Sequence, residues 1–187
     1  MRHFATEEQV LASLVDVFRT HGYEGASLAA ISRATGLARA SLYHRFPNGK
    51  EEMAAAVMRY ARSWLESHAL APLRDESRSP RERIEAMARE LDAFYDSGRR
   101  SCLLEALSLG ERGSPLSKMA RSLLQLWVGE MARLLERAGL GSREAAARAE
   151  DAVVRIEGAL VVARVQDDPK PFQRVLQSLP TQLLDVV

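Results

Sequence analysis

Apolar residues recur along this chain at three- and four-residue intervals, the rhythm of helices, and β-branched runs are rare. The first stripe is Val10, Leu14, Val17 and Phe18. Thr6 and Gln9 form a capping box ahead of it, and His21-Gly22-Tyr23 closes it, with Gly22 suited to a left-handed end. Ser27 caps a short second helix whose Leu28 and Ile31 face inward, and Thr35-Gly36-Leu37 is a turn. A third helix runs from about Ala38 to Phe46, with Leu42 and Phe46 inward, joined by Leu37, until Pro47 stops it. Asn48 with Glu51 makes a second cap-like pair, opening a long helix towards Glu66 or Ser67. Pro72 and the RDESRSP stretch mark a linker or turn.

The remainder repeats the pattern. Ser79-Pro80-Arg81-Glu82 combines a cap, a proline in the first turn and an acid, a strong helix start. That helix carries Ile84, Met87, Leu91, Phe94 and Tyr95 to about Asp96, and Gly98 closes it. A short helix spans Cys102 to Leu109, a longer one Ser114 to Gly139, and another opens at Ser142 and reaches about Gln166. Asp168-Pro169-Lys170-Pro171 is a break, and a last helix from Phe172 is interrupted by Pro180. The fold class is all-α with about nine helices, and neither repeats nor low-complexity tracts are apparent.

Charge changes the picture in one place. The chain of 187 residues is 47% hydrophobic, enough for a core and for one to two domains, and its net charge is only +1. DNA binding by such a chain has to come from local clustering. Between Ser27 and Lys50 the ionisable side chains are Arg33, Arg39, His44, Arg45 and Lys50, with no acid. On the third helix Arg39, Ala40, Tyr43 and His44 fall opposite the Leu42/Phe46 stripe. A recognition helix needs such a division, one face in the core and the other free to enter the major groove. Arg39 suits a guanine edge or a phosphate, small Ala40 lets the backbone approach DNA, and the Tyr43 hydroxyl suits a phosphate oxygen. Lys50 adds a charge beside the N–H groups that open the fourth helix. The plainer alternative is that two short helices and a glycine turn belong to any bundle, with arginines and His44 on a solvated face; the acid-free run weighs against it.

Other chemistry finds little support. The single cysteine, Cys102, precedes Leu103-Leu104 and reads as an inert buried thiol. His3, His21, His44 and His68 lack metal-ligand spacing. Gly139-Leu140-Gly141 starts like a nucleotide loop but follows a helix and lacks the third glycine, and there is no Gly-x-Ser-x-Gly. The expectation is a protein that is not an enzyme and needs no cofactor or metal. No run of 18 apolar residues is present and MRHFATEEQ has no apolar signal core, so the expected location is the cytoplasm.

SLAAISRATGL, SLYHRF and GKEEM, set behind the first-helix pattern, resemble the tetracycline-repressor (TetR) family of bacterial regulators. SCLLEALSLGE and ALVVARVQDDPKPFQRVL resemble its lincomycin-resistance-regulator-like (LmrA/YxaF) subgroup. The resemblance implies a homodimeric, ligand-responsive transcription regulator, most simply a repressor released from a palindromic operator in double-stranded DNA. It implies a three-helix helix-turn-helix DNA-binding domain over 1–50 and a larger effector-binding and dimerisation domain over 51–187. By matching position, the implied DNA contacts are Ser27, Arg39, Ala40, Tyr43, His44 and Lys50. The chain departs from the family at Ala38, where a capping Ser is common, and at Ala40, where Gly is common. The alternative function is an all-helical small-molecule-binding or interaction protein without DNA binding.

Between Ala152 and Val165, Arg155 lies nearly opposite Glu157 and Arg164, leaving two apolar flanks. Gly158, Ala159 and Val162 there, with Phe172, Val175, Leu176 and Leu179 of the last helix, are the expected seam of a four-helix dimer interface; a buried helix of a monomeric bundle is the alternative. Candidates for a pocket are Trp64, Met87, Leu91, Phe94, Leu103, Leu107, Trp127, Met131 and Ile156. Each taken alone reads first as plain core, and it is the family resemblance that implies a pocket; with few polar neighbours, the residues then suggest a small hydrophobic or aromatic effector.

Overall fold

The computed structural model describes residues 6–108 and 113–185, and the described residues form nine α-helices. They are α1 (Glu7–Gly25), α2 (Leu28–Thr35), α3 (Arg39–Arg45), α4 (Lys50–Trp64), α5 (Pro80–Phe94), α6 (Leu103–Ser108), α7 (Pro115–Arg137), α8 (Ser142–Gln166) and α9 (Lys170–Leu184). A π-helical turn (Leu65–Ala69) extends α4, and a 3-10 turn (Pro72–Arg74) follows it. The expected end of the sixth helix at Leu109, and His3, lie outside the described residues. No helix among the described residues is long and apolar enough to cross a membrane.

The chain divides into two compact units, one of Met1–Arg62 with Leu103–Arg121, the other of Ser63–Cys102 with Ser122–Val187. This line differs from the division at residue 50 read from the sequence. The first unit keeps most of α4 and takes in α6.

In the first unit the sequence signals act locally. Thr6 and Gln9 exchange both capping-box bonds at 2.9 and 3.2 Å. Val10, Leu14, Val17 and Phe18 are buried. Gly22 breaks the α1 dihedrals (φ 65°, ψ 179°), but a further short stretch carries the helix to Gly25. α1 packs on α2 and α6. One expected cap is displaced by a residue: the Asn48 N–H donates to Glu52, not Glu51, at 2.9 Å. The reason is register. α4 begins at Lys50, so Glu52 is the third helical residue and its carboxylate is the one that reaches back.

In the second unit Ser79 and Glu82 form the expected capping box of α5. Met87, Leu91, Trp127, Met131 and Ile156 are all within 1% of full burial, and α9 packs on both α5 and α8. α8 opens at Ser142 and ends at Gln166 as expected, with Gly141 in the cap position and no side-chain bond there. One expectation fails. Pro180 does not interrupt α9, which runs through it to Leu184. A proline costs one helical hydrogen bond, and the burial of Leu179, Pro180 and Leu183 offsets that loss. Cys102 is buried, its thiol donating to Glu157 Oε1 at 3.2 Å.

Glu130 of α7 lies in this unit with its side chain 10% exposed, bonded at 2.7 Å to Arg74 and at 2.7 Å to Arg133. The Arg74 hydrogen bond, helped by Arg133, holds its carboxyl below the usual value. A depressed folded value means that the linked stability is present above the ordinary carboxylate range and disappears as pH falls through the lower one. Both guanidiniums remain half in water, so the contribution is about 1 kcal/mol. Glu130→Gln is expected to lower the melting temperature at pH 7 and to flatten its fall between pH 5 and about pH 3; melts across that range check it.

Candidate nucleic-acid interface

The reading element is built on a short buried spine. Ile31 of α2 and Leu42 of α3 are fully buried, while Leu37 and Phe46 are half-buried. Ser27 caps α2 by accepting the Ala30 N–H at 3.1 Å. Thr35 braces the turn from both sides, donating to the Ile31 carbonyl at 2.8 Å and accepting the Leu37 N–H at 3.3 Å. Gly36 between them sits at φ 68°, ψ 9°, where a Cβ would be strained. Ala38 holds the cap position of α3 and offers no side-chain cap, as its sequence foretells.

With Leu42 inward, Arg39, Ala40, Tyr43 and His44 all stand exposed on α3. Ser27 is exposed as well, with its hydroxyl oxygen engaged in the cap. Tyr43 is 46% exposed, a large amount for an aromatic ring. Its placement rests on Gly49, a buried residue at φ +64°. A Cβ at position 49 would lie 3.3 Å from Tyr43 Cε1, so the ring lies close over the backbone that opens α4. Sequence reasoning passed over Gly49, although a glycine between Pro47-Asn48 and a helix start is itself a turn signal.

Lys50 is less free than its sequence position suggests. It is half-buried, its ammonium 4.6 Å from the centroid of the Tyr23 ring and 3.4 Å from the Glu24 carbonyl oxygen. Burial, then the Glu51 and Glu24 carboxylates, raise the Tyr23 phenol above its ordinary value.

The second unit holds most of the residues expected around an effector. Trp64 is half-buried, stacked on Phe94 at 3.8 Å between centroids and on His68 at 5.5 Å. The Trp127 indole N–H is buried and finds no hydrogen-bond partner among the described residues. Leu103 and Leu107 are buried too, but they belong to the first unit.

For the expected dimer seam the structure divides the residues. Phe172, Leu176 and Leu179 are buried in their own chain and cannot face a second copy. They form the inward stripe that seats α9 on α5 and α8, and the sequence pattern of such a stripe looks the same whichever helix covers it. Gly158 and Val162 are exposed and Val175 is half-buried. Ala159, Val162 and Val175 line an open groove between α8 and α9, together with Arg155, Pro171 and Arg174. Beside it Val154, Val161 and Val165 are 64%, 39% and 79% exposed. The two apolar flanks of α8 are therefore real, one buried and one bare.

Residues 80–178 match the family described as "Transcriptional regulator LmrA/YxaF-like, C-terminal domain", and residues 2–57 match "Bacterial regulatory proteins, tetR family". The chain belongs to the tetR family of bacterial regulators. Among its relatives is the uncharacterized HTH-type transcriptional regulator YxaF of Bacillus subtilis (strain 168), 26% identical over 94% of this chain and 93% of that protein. A TetR transcriptional regulator from Legionella pneumophila has the same fold, with TM-score 0.86 at 22% identity over 99% of this chain and 100% of that one. The tetR-family regulator CifR, solved as a cysteine mutant with 26-bp double-stranded operator DNA, is 28% identical over 98% of this chain and 97% of its own, with TM-score 0.69. This tetR-family chain is a DNA-binding transcriptional regulator, and its family is not one of enzymes. The reading as a helical binder without DNA binding falls with that assignment.

Proposed function

We propose that this regulator grips its operator as a symmetric dimer through two α3 helices and is released by a small hydrophobic or aromatic effector held in the helical body. The observation that carries the DNA half is the acid-free stretch from Ser27 to Lys50, folded so that Arg39, Ala40, Tyr43 and His44 all stand exposed on α3. In this reading Arg39 meets a base edge or phosphate, Tyr43 and Lys50 meet phosphates, and Ser27 and His44 flank them. Residues 1–50 serve as the reading head and 51–187 as the control region. The operator complex of CifR supports the same use of the fold. Trp64, Phe94 and the buried Trp127 indole, with Met87, Leu91, Met131 and Ile156, all of the second unit, are the residues proposed to shape the effector site. An effector that binds one arrangement of the dimer better than the other shifts the protein away from the operator-bound state. Selection of bound sequences from random duplex DNA, followed by a screen of hydrophobic compounds for release, tests both halves. Failure to enrich any palindrome would sink the operator reading.

The bare flank of α8 supports the dimer. Val154, Gly158, Val161, Val162 and Val165, continued by the α8/α9 groove, form an apolar surface with no cover in one chain. Val161→Glu combined with Val165→Glu places like charges against each other across a two-fold axis. The expected result is a one-chain mass by light scattering at micromolar concentration, unchanged helical content, and loss of cooperative operator binding. An unaltered mass would move the seam elsewhere.

A further inference from the structure

Lys50 carries a long flexible stem, and an ammonium that has to be found and ordered at each encounter is a poor anchor. Here it is already placed. Just past the Gly22 kink, the Tyr23 ring stacks on the fully buried Phe18 ring, with centroids 6.4 Å apart and planes within 8°. The Lys50 ammonium lies 4.6 Å from the centre of the Tyr23 ring, in the range of a cation–π contact, and 3.4 Å from the Glu24 carbonyl. We propose that Tyr23, which carries no expected DNA contact itself, is the positioning residue that holds Lys50 at the mouth of α4 for a DNA phosphate. This rests on the reading of Lys50 as a phosphate anchor. The ring face takes up the cation without consuming a hydrogen-bond donor, and the Glu24 carbonyl takes one of three. The remaining donors stay available beside the backbone N–H groups that open α4. The Glu24 and Glu51 carboxylates are the nearby acids. They attract Lys50 from any direction and fix no geometry, whereas the ring, pinned on Phe18, does.

The test is the salt dependence of binding by the full-length protein to a duplex selected from random DNA, because the slope counts phosphate contacts. Lys50→Met is expected to weaken binding about tenfold and to reduce the slope by about 2 per dimer, one contact at each head. Tyr23→Phe keeps the ring, so affinity stays within about twofold and the slope is unchanged. Tyr23→Leu is expected to weaken binding about three- to tenfold and move the slope towards that of Lys50→Met. Added to Lys50→Met, it causes no further loss. Tyr23→Met provides the same comparison with a chain that still packs on Phe18, should the leucine variant melt below the assay temperature. A normal slope in folded Tyr23→Leu and Tyr23→Met, with Lys50→Met impaired, overturns the role of Tyr23. Normal binding by Lys50→Met removes the anchor reading and the proposal together.

Discussion

Arg39→Ala together with Tyr43→Phe is expected to abolish measurable operator binding while leaving the melting temperature within a degree or two of the parent. A bidentate arginine–base pair discriminates by about 1–3 kcal/mol, and a two-fold complex uses it twice, so Arg39→Ala alone should cost roughly 30- to 20,000-fold in affinity. Tyr43→Phe removes only a hydroxyl, about 1 kcal/mol at each head, and keeps the ring that lies over Gly49. Neither change touches the core: Arg39 and Tyr43 are exposed and the inward residue, Leu42, is retained. Arg39 is the first residue of α3, where a cation opposes the helix dipole, so alanine there does not weaken the helix. The single variants separate two modes. Relaxed preference at one base position marks Arg39 as a base reader; uniform weakening with a shallower salt slope marks it as a phosphate contact. Gel shifts on selected and scrambled duplexes measure both. Parent-like affinity in both single variants would remove α3 from the interface.

Local chemistry explains what was legible in the sequence. Thr6/Gln9, Ser27, Gly36 and Ser79/Glu82 act on backbone groups within four residues, and each does in the structure what its spacing foretold. The division of α3 into a Leu42 side and an Ala40/Tyr43/His44 side follows from about 100° per residue and needs no partner, whereas Arg39 lies nearer the Leu42 side and is exposed as the first residue of the helix. The misplacements involve choices that spacing leaves open. Glu51 and Glu52 are both acids near one helix start, and a single-residue change in where α4 begins decides between them. Phe172, Leu176 and Leu179 make an apolar stripe whose pattern is silent about which surface covers it. Pro180 obeys its own preference against helix interiors until burial overrides it. The Tyr23–Lys50 contact joins residues far apart in sequence, where no periodicity can connect them.

Phe172→Ala is expected to be the most destabilising single change in the helical body, by about 3–5 kcal/mol, without altering the mass of the protein in solution. The ring is fully buried, set edge-on to Tyr95 at 5.8 Å between centroids, with Gly98 against its base. Its loss empties a space bounded by α9 and by the turn Asp96–Gly98, three successive residues at positive φ. That turn is fixed by the Ser97 N–H to the Asp92 carbonyl at 2.8 Å and the Arg100 N–H to the Tyr95 carbonyl at 3.0 Å, so it cannot easily collapse into the gap. The reciprocal change is nearly as harmful. At φ +93° a Cβ on residue 98 would sit 2.9 Å from Phe172 Cβ, closer than any tolerated contact. Gly98→Ala therefore adds backbone strain to overpacking, about 2–4 kcal/mol together. Because the worst contact is with Cβ, which alanine keeps, Phe172→Ala gives Gly98→Ala little rescue, and the two losses remain close to additive. Urea unfolding measures each loss, and light scattering on the folded fraction gives the mass. The α8 valine variant is expected to behave in the opposite way, changing mass while each chain keeps its core. Should Phe172→Ala instead split the protein into single chains of parent-like stability, Phe172 would belong to the seam after all, and the packing of α9 on α5 would have to be reconsidered.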